Sequence, residues 1–163
     1  MDQLGLWSLR LLLITLCITP LRQLTGWSPL QRFRRMLGLF AFFYVCLHVA
    51  MYVAVDQRFN WPELWKDLTQ HGWIIVGCVA FVLLIPLAIT STKSAMRQLG
   101  RQWQRLHAAI YVATLGGCWH YYWQVKRDVR PPLAYAAMFA LLMGWRIIHR
   151  WRQAQRLRVP RTH

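Results

Sequence analysis

Long uncharged apolar runs alternate along this chain with short clusters of basic residues. Five runs stand out, at residues 4–21, 36–55, 73–90, 106–123 and 131–148, and the middle three hold no formal charge. At about 1.5 Å of rise per residue, a helix of about 18 to 20 residues covers about 30 Å, the hydrocarbon thickness of a bilayer. The pattern predicts an all-α, polytopic transmembrane helical bundle of five spans, with residues 1–163 forming one domain. Arg10 and Arg146 fall within the first and last runs but close to an end, so both are expected to snorkel to the interface.

Composition narrows the class. The 163 residues carry 20 Lys and Arg against 5 Asp and Glu, a formal charge of +15, yet 56% of the chain is apolar and ten residues are Trp. A disordered basic tail has few apolar residues, and a nucleic-acid-binding domain rarely spends so many Leu and Trp, so no nucleic-acid partner is expected. The charge reads instead as a topology signal, because Lys and Arg near span ends are retained on the cytoplasmic side. Arg22, Arg32, Arg34 and Arg35, then Lys93, Arg97, Arg101 and Arg105, then Arg150, Arg152, Arg156, Arg158 and Arg161 all fall on one side, thirteen of the twenty cations. This places the amino terminus outside and the carboxyl terminus inside. Trp7, Trp61, Trp65, Trp73, Trp119 and Trp123 fall at outer span ends and Trp27, Trp103, Trp145 and Trp151 at inner ends, as interfacial anchors do. The first run has no basic flank and Thr19-Pro20-Leu21 is a poor cleavage site, so no cleaved signal peptide is expected. Cys17, Cys46, Cys78 and Cys118 are single residues within spans and suggest neither a metal site nor a disulfide framework.

Two histidines lie deep in spans, where a polar side chain is costly. His48 comes twelve residues after Met36 and His120 fourteen after Leu106, depths of about 18 and 21 Å from the inner ends. Two imidazoles at matched depth on different helices can clamp an iron porphyrin from both faces; interhelical hydrogen bonding or a solvated cavity would also account for them. Below His120 lie Gly116, Gly117 and Ala113, and below His48 lie Tyr44 and Ala41, small residues that would admit a flat macrocycle or simply let helices pack closely. His107 is thirteen residues before His120, about 20 Å of rise, which suits a second redox centre, but an ideal helix leaves the two side chains about 140° apart. An irregularity at Gly116 and Gly117 would close that angle; otherwise His107 is an interfacial histidine. His71, His149 and His163 read as solvated.

Ile18-Thr19-Pro20-Leu21-Arg22, Arg34-Arg35-Met36-Leu37-Gly38-Leu39, Leu47-His48, Thr90-Ser91-Thr92, Leu99-Gly100-Arg101-Gln102-Trp103-Gln104-Arg105-Leu106-His107 and Tyr111, with His120 and Trp123 beyond, resemble the MsrQ (YedZ) family of the ferric-reductase-like transmembrane superfamily. The resemblance spans nearly the whole chain. It implies a multi-pass subunit of the bacterial inner membrane that binds haem b, with flavin mononucleotide (FMN) as a further family cofactor. It also implies electron transfer from a cytoplasmic flavin reductase or quinol to MsrP, a periplasmic molybdopterin enzyme that reduces methionine sulfoxide in oxidised proteins. By position, His48 and His120 would be the axial haem ligands and His107 an additional cofactor-binding histidine. Family members usually have one more amino-terminal span, and where the superfamily places a further histidine below the one on span two this chain has Arg34-Arg35, so a second complete bis-histidine site is not expected. The inner arginines would then serve the phosphate or propionates of any inner cofactor.

These readings make the chain an electron conduit rather than the catalytic subunit. The competing readings are a stand-alone ferric-reductase-like transmembrane cytochrome b and a membrane scaffold or transporter with incidental histidines. About fifteen residues follow the last span, without a glycine-rich phosphate loop, so a nucleotide-binding domain is not expected.

Overall fold

The computed structural model describes residues 2–158. Arg161 and His163, assigned above to the basic tail and to solvent, lie outside the described residues. The described residues form eight α-helices: α1 (Asp2–Thr25), α2 (Leu30–Met51), α3 (Trp61–Gln70), α4 (Gly72–Ile89), α5 (Lys93–Leu99), α6 (Arg101–His107), α7 (Ala109–Gln124) and α8 (Arg130–Arg158). A π-helical turn, Tyr52–Asp56, extends α2.

Among the described residues, four helical segments are long and apolar enough to cross a membrane: Gln3–Thr25, Leu30–Asp56, Gly72–Ile89 and Arg130–Gln155. The segment expected to make the fourth crossing, 106–123, is divided by a turn at Ala108, which leaves α7 with 16 residues and α6 stacked end to end beneath it. Pro20 and Pro86 lie inside α1 and α4 without ending them. Tolerance of this kind is common in membrane helices, where neighbours and hydroxyl groups take up the released backbone groups.

Packing closes four helices into a ring in which α1 meets α2, α2 meets α4, α4 meets α7 and α7 meets α1; α8 lies outside against α1 and α7. Short connections make successive helices antiparallel, so α2 and α7 are diagonal to one another across the ring. The first helix is the most enclosed. Leu9, Leu12, Leu13 and Leu16 recur at three- and four-residue spacing and form one core with Ala41, Leu84, Leu87, Ile110, Ala113, Cys118 and Phe139. Phe42 of α2 stacks on Phe81 of α4 at 6.1 Å. Two buried hydroxyls are satisfied within their own helices: Thr15 donates to the Leu11 carbonyl and Thr114 to that of Ile110, each at 2.7 Å. The outward stripes stay apolar, with Ile75, Val79, Val82 and Ile89 on α4 and Leu141, Ile147 and Ile148 on α8 all exposed. An exposed apolar girdle of this size is the surface a helical bundle presents to lipid.

The two ends differ in charge. All five acidic residues, Asp2, Asp56, Glu63, Asp67 and Asp128, fall at the end where α1 begins and α2 finishes; the arginine-rich connections and the end of α8 lie at the other. These are called the acidic and basic ends below. At the acidic end the amphipathic α3 turns Trp61 and Trp65 outward, 64% and 69% exposed. Asp67 of α3 accepts hydrogen bonds from the Tyr52 hydroxyl and from Gln57 Nε2 and pairs with His71 Nδ1 at 3.6 Å. Asp67 therefore ties the π-helical turn to the start of α4.

Arg10 and Arg146 do not reach for the interface as expected. Arg10 Nε donates to the Tyr135 hydroxyl at 2.8 Å, with its guanidinium over Trp7. Arg146 donates to the Tyr111 hydroxyl at 3.0 Å and to the Leu16 carbonyl at 2.7 Å. Acceptors inside the bundle hold both side chains in place of the interface, although Arg146 Nε is buried without one.

Candidate functional site

His48, one turn before the end of α2, and His120, one turn before the end of α7, face each other across the ring. Their centroids are 6.4 Å apart and their planes cross at 79°. Beside them lies a cavity of about 260 Å³, walled by Leu9 and Leu12 of α1, Val45 of α2, Phe81 and Leu84 of α4, and Ala113 and Gly117 of α7. Its rim toward the acidic end is polar, with Ser8, Tyr52, Asp56 and Gln124. The depth matching visible in the sequence thus becomes a shared cavity because two antiparallel hairpins place α2 and α7 on a diagonal.

Neighbouring backbone orients the His120 ring and comes close to that of His48. The Nδ1 of His120 lies 2.6 Å from the carbonyl oxygen of Trp73 in the first turn of α4. A carbonyl only accepts, so the proton is on Nδ1 and the Nε2 lone pair remains for a ligand. Gly77, one turn further along α4, lies behind the same ring; a Cβ there would come 2.8 Å from His120 Nδ1. On the opposite wall a Cβ on Gly5 of α1 would lie 3.3 Å from His48 Nδ1. The Nδ1 edge of His120 therefore faces α4, and the Nδ1–Cε1 edge of His48 faces α1.

The small residues of α7 divide between two tasks. Ala113 and Gly117 line the cavity, whereas Gly116 faces α4, where an added Cβ would meet the Ala80 Cβ at 3.3 Å. Neither Ala41 nor Tyr44 is part of the wall: Ala41 is fully buried in the α1–α2 core. The irregularity sought at Gly116 and Gly117 lies instead at Ala108, directly after His107.

His107 is remote from this cavity. Its ring stacks on Trp103 at 4.0 Å, and its Nε2 lies 3.0 Å from the Thr90 hydroxyl oxygen. Thr90 spends its own hydroxyl proton on the Pro86 carbonyl at 2.6 Å, so it accepts from His107, which fixes the proton on Nε2. Trp103 Nε1 adds a bond to the Thr90 carbonyl at 2.9 Å. The Thr90 and Trp103-to-His107 segments singled out in the sequence are therefore one contact at the basic end.

Other residues fall as follows. Tyr121 lines the cavity and meets Tyr135 edge-on at 6.0 Å, while Trp119, Tyr122 and Trp123 are exposed on the outer surface. His71 is exposed, whereas His149 is half-buried and lies 3.1 Å from Gln153 Nε2. The sequence reading missed Gly5, Gly77 and the Trp73 carbonyl. A signal existed for the glycines, which lie at the depth of the histidines in the neighbouring spans; a main-chain carbonyl leaves none. Among the described residues no group of three His, Cys, Asp or Glu side chains is placed to hold a metal ion.

The sequence was also compared with those of known proteins. Residues 4–118 match the family model described as ferric reductase like transmembrane component. The chain is 50% identical over 98% of its length to a protein-methionine-sulfoxide reductase heme-binding subunit MsrQ of Xanthomonas campestris pv. campestris, covering 72% of that protein. It is 53% identical over 88% of its length to the MsrQ of Xanthomonas axonopodis pv. citri, covering 66% of it. The MsrQ of Azospira oryzae is 46% identical over 91% of the chain, with 65% of that protein covered. No solved structure matches the chain. With half its residues shared along nearly its whole length, the chain belongs to the MsrQ family, within the ferric-reductase-like transmembrane proteins.

Proposed function

We propose that this chain is a haem-binding membrane subunit that carries electrons to a methionine sulfoxide reductase. The observation that carries the reading is the pair of imidazoles facing each other from diagonal helices at 6.4 Å. Imidazole nitrogen is a natural haem ligand, and two rings brought this close from different helices would be able to hold the iron between them. Two histidines without further ligating side chains also suit a metal that brings its own equatorial donors. His48 and His120 would hold haem b through their Nε2 atoms. Bound there, the haem would supply one-electron chemistry at its iron.

The protein's own contribution is placement. The Trp73 carbonyl holds the His120 proton on Nδ1 and strengthens the ring as a donor through Nε2. Gly5 and Gly77 let helix backbones come close behind the two rings, and the apolar wall of Leu9, Leu12, Phe81 and Leu84 excludes water. The polar rim places the site nearer the acidic end.

In this reading five segments cross the bacterial inner membrane, with α6 and α7 together making the fourth crossing. The basic end is cytoplasmic and the acidic end periplasmic. Electrons enter beside His107 from a reduced flavin, a flavin reductase or a quinol, and leave at the acidic end to a periplasmic molybdopterin enzyme of the MsrP type. FMN is carried into this reading by the family resemblance alone.

The test is anaerobic reduction of the purified protein, followed by timed addition of MsrP and a methionine sulfoxide substrate. Reoxidation that requires both additions supports the reading; a protein without a reducible b-type spectrum overturns it. His48→Ala and His120→Ala are each expected to abolish that spectrum, and normal haem in both variants would overturn the ligand assignment.

A further inference from the structure

Among the described residues, the basic end holds half-buried positive charge without a matching acidic side chain. Arg146 of α8 is half-buried, and both of its described hydrogen bonds go to uncharged oxygens, the Tyr111 hydroxyl and the Leu16 carbonyl. Its Nε is buried without an acceptor. Arg34 of α2 is also half-buried, and it lies within electrostatic reach of both Arg146 and His107. Arg150, one turn along α8, is within reach of Arg146 as well. No acidic side chain can answer these charges, because all five acids of the chain are at the opposite end. The two ion pairs among the described residues, Lys66–Glu63 and His71–Asp67, lie there too and use no arginine.

Like-charged guanidiniums are not left partly desolvated without cost, and a planar guanidinium with a spare donor matches the oxygens of a phosphate. We propose that Arg34, Arg146 and Arg150 form a binding site for a phosphate group. Two sources can supply it: the headgroup of an anionic phospholipid in the adjoining leaflet, or a soluble phosphate compound. The position favours the lipid, since a cluster of basic side chains at the end of a membrane bundle attracts anionic headgroups. Nearby, Trp145 donates to Gln23 at 3.1 Å, joining α8 to α1 at this end. The site does not depend on the haem reading.

The full-length protein in detergent is titrated with dioleoylphosphatidylglycerol, dioleoylphosphatidylcholine, inorganic phosphate or FMN. Occupancy is read by native mass spectrometry and by the shift in melting temperature. Phosphatidylglycerol should bind more tightly than phosphatidylcholine. Arg34→Gln and Arg150→Gln should each weaken binding about fivefold, the equivalent of about 1 kcal/mol per basic residue at an anionic surface. Exposed Arg97→Gln, on α5, should leave binding unchanged. Arg146→Gln is read only alongside Arg34→Gln, which removes charge without removing a described hydrogen bond. Binding of inorganic phosphate or FMN with the same arginine dependence upholds the site and assigns it to a soluble ligand. Equal binding of both lipids without a response to phosphate or FMN overturns it, as does an equal loss in Arg97→Gln.

Discussion

The imidazole of His120 donates through Nδ1 to the main-chain carbonyl of Trp73, 2.6 Å away and 47 residues distant in the chain. The bond ties the end of α7 to the start of α4 and decides which nitrogen faces the cavity. No substitution deletes a backbone acceptor, so the relationship is best probed from the glycine beside it.

Gly77→Ala puts a methyl group 2.8 Å from His120 Nδ1, on a helix whose backbone cannot retreat. The ring has to turn away from the Trp73 carbonyl. Overpacking of this kind costs about 1–3 kcal/mol, so haem affinity is expected to fall about tenfold or more. The haem-to-protein ratio after purification, with the b-type absorption of the reduced protein, measures it; an unchanged ratio and spectrum would show that His120 is not seated against α4.

Gly5→Ala should be milder. Its added methyl group meets His48 at 3.3 Å, a gap that a few tenths of an ångström of ring movement restores, while Gly144→Ala meets nothing within 4 Å. Haem retention is therefore expected to rank Gly144→Ala at the wild-type level, Gly5→Ala slightly lower and Gly77→Ala lowest. Any other order contradicts the placement of the rings against α1 and α4.

Thr90→Val removes the acceptor for His107 Nε2 while keeping side-chain volume close to constant. A donor left unsatisfied in a half-buried position costs about 1–3 kcal/mol, which a lowered melting temperature will report. Because this contact is remote from the cavity, the reduced b-type spectrum should be unaltered. Loss of that spectrum would mean that His107 acts on the cavity haem.

Tyr52→Phe deletes the bond from the π-helical turn to Asp67 but leaves the ring at the cavity rim. The expected destabilisation is about 0.5–1.5 kcal/mol, with haem content retained. Asp67→Asn disturbs three contacts at once, those to Tyr52, Gln57 and His71, and should destabilise more. Equal melting temperatures for the two variants would count against Asp67 as the tie between α2, α3 and α4.

Much of the architecture is legible in one dimension. An apolar run without charge specifies a helix that can reside in lipid, and its length specifies how far it reaches; both are properties of consecutive residues. The segregation of acids from most arginines follows from the same reading, as does the equal depth of His48 and His120, because rise per residue turns sequence position into height. What spacing does not encode is rotation about each helix axis and the choice of neighbours, since Leu-rich faces are chemically alike and nearly interchangeable. Packing alone decided that α2 and α7 stand diagonal, that Gly117 lines the cavity while Gly116 meets Ala80, and that the break falls at Ala108. It turned Arg146 inward toward the Leu16 carbonyl and Tyr111. It also brought the Trp73 carbonyl to His120, a partner with no side-chain identity to read. Sequence sets height and lipid compatibility because these are sums over neighbouring residues; the site needs a direction around each helix, which exists only once the helices have found one another.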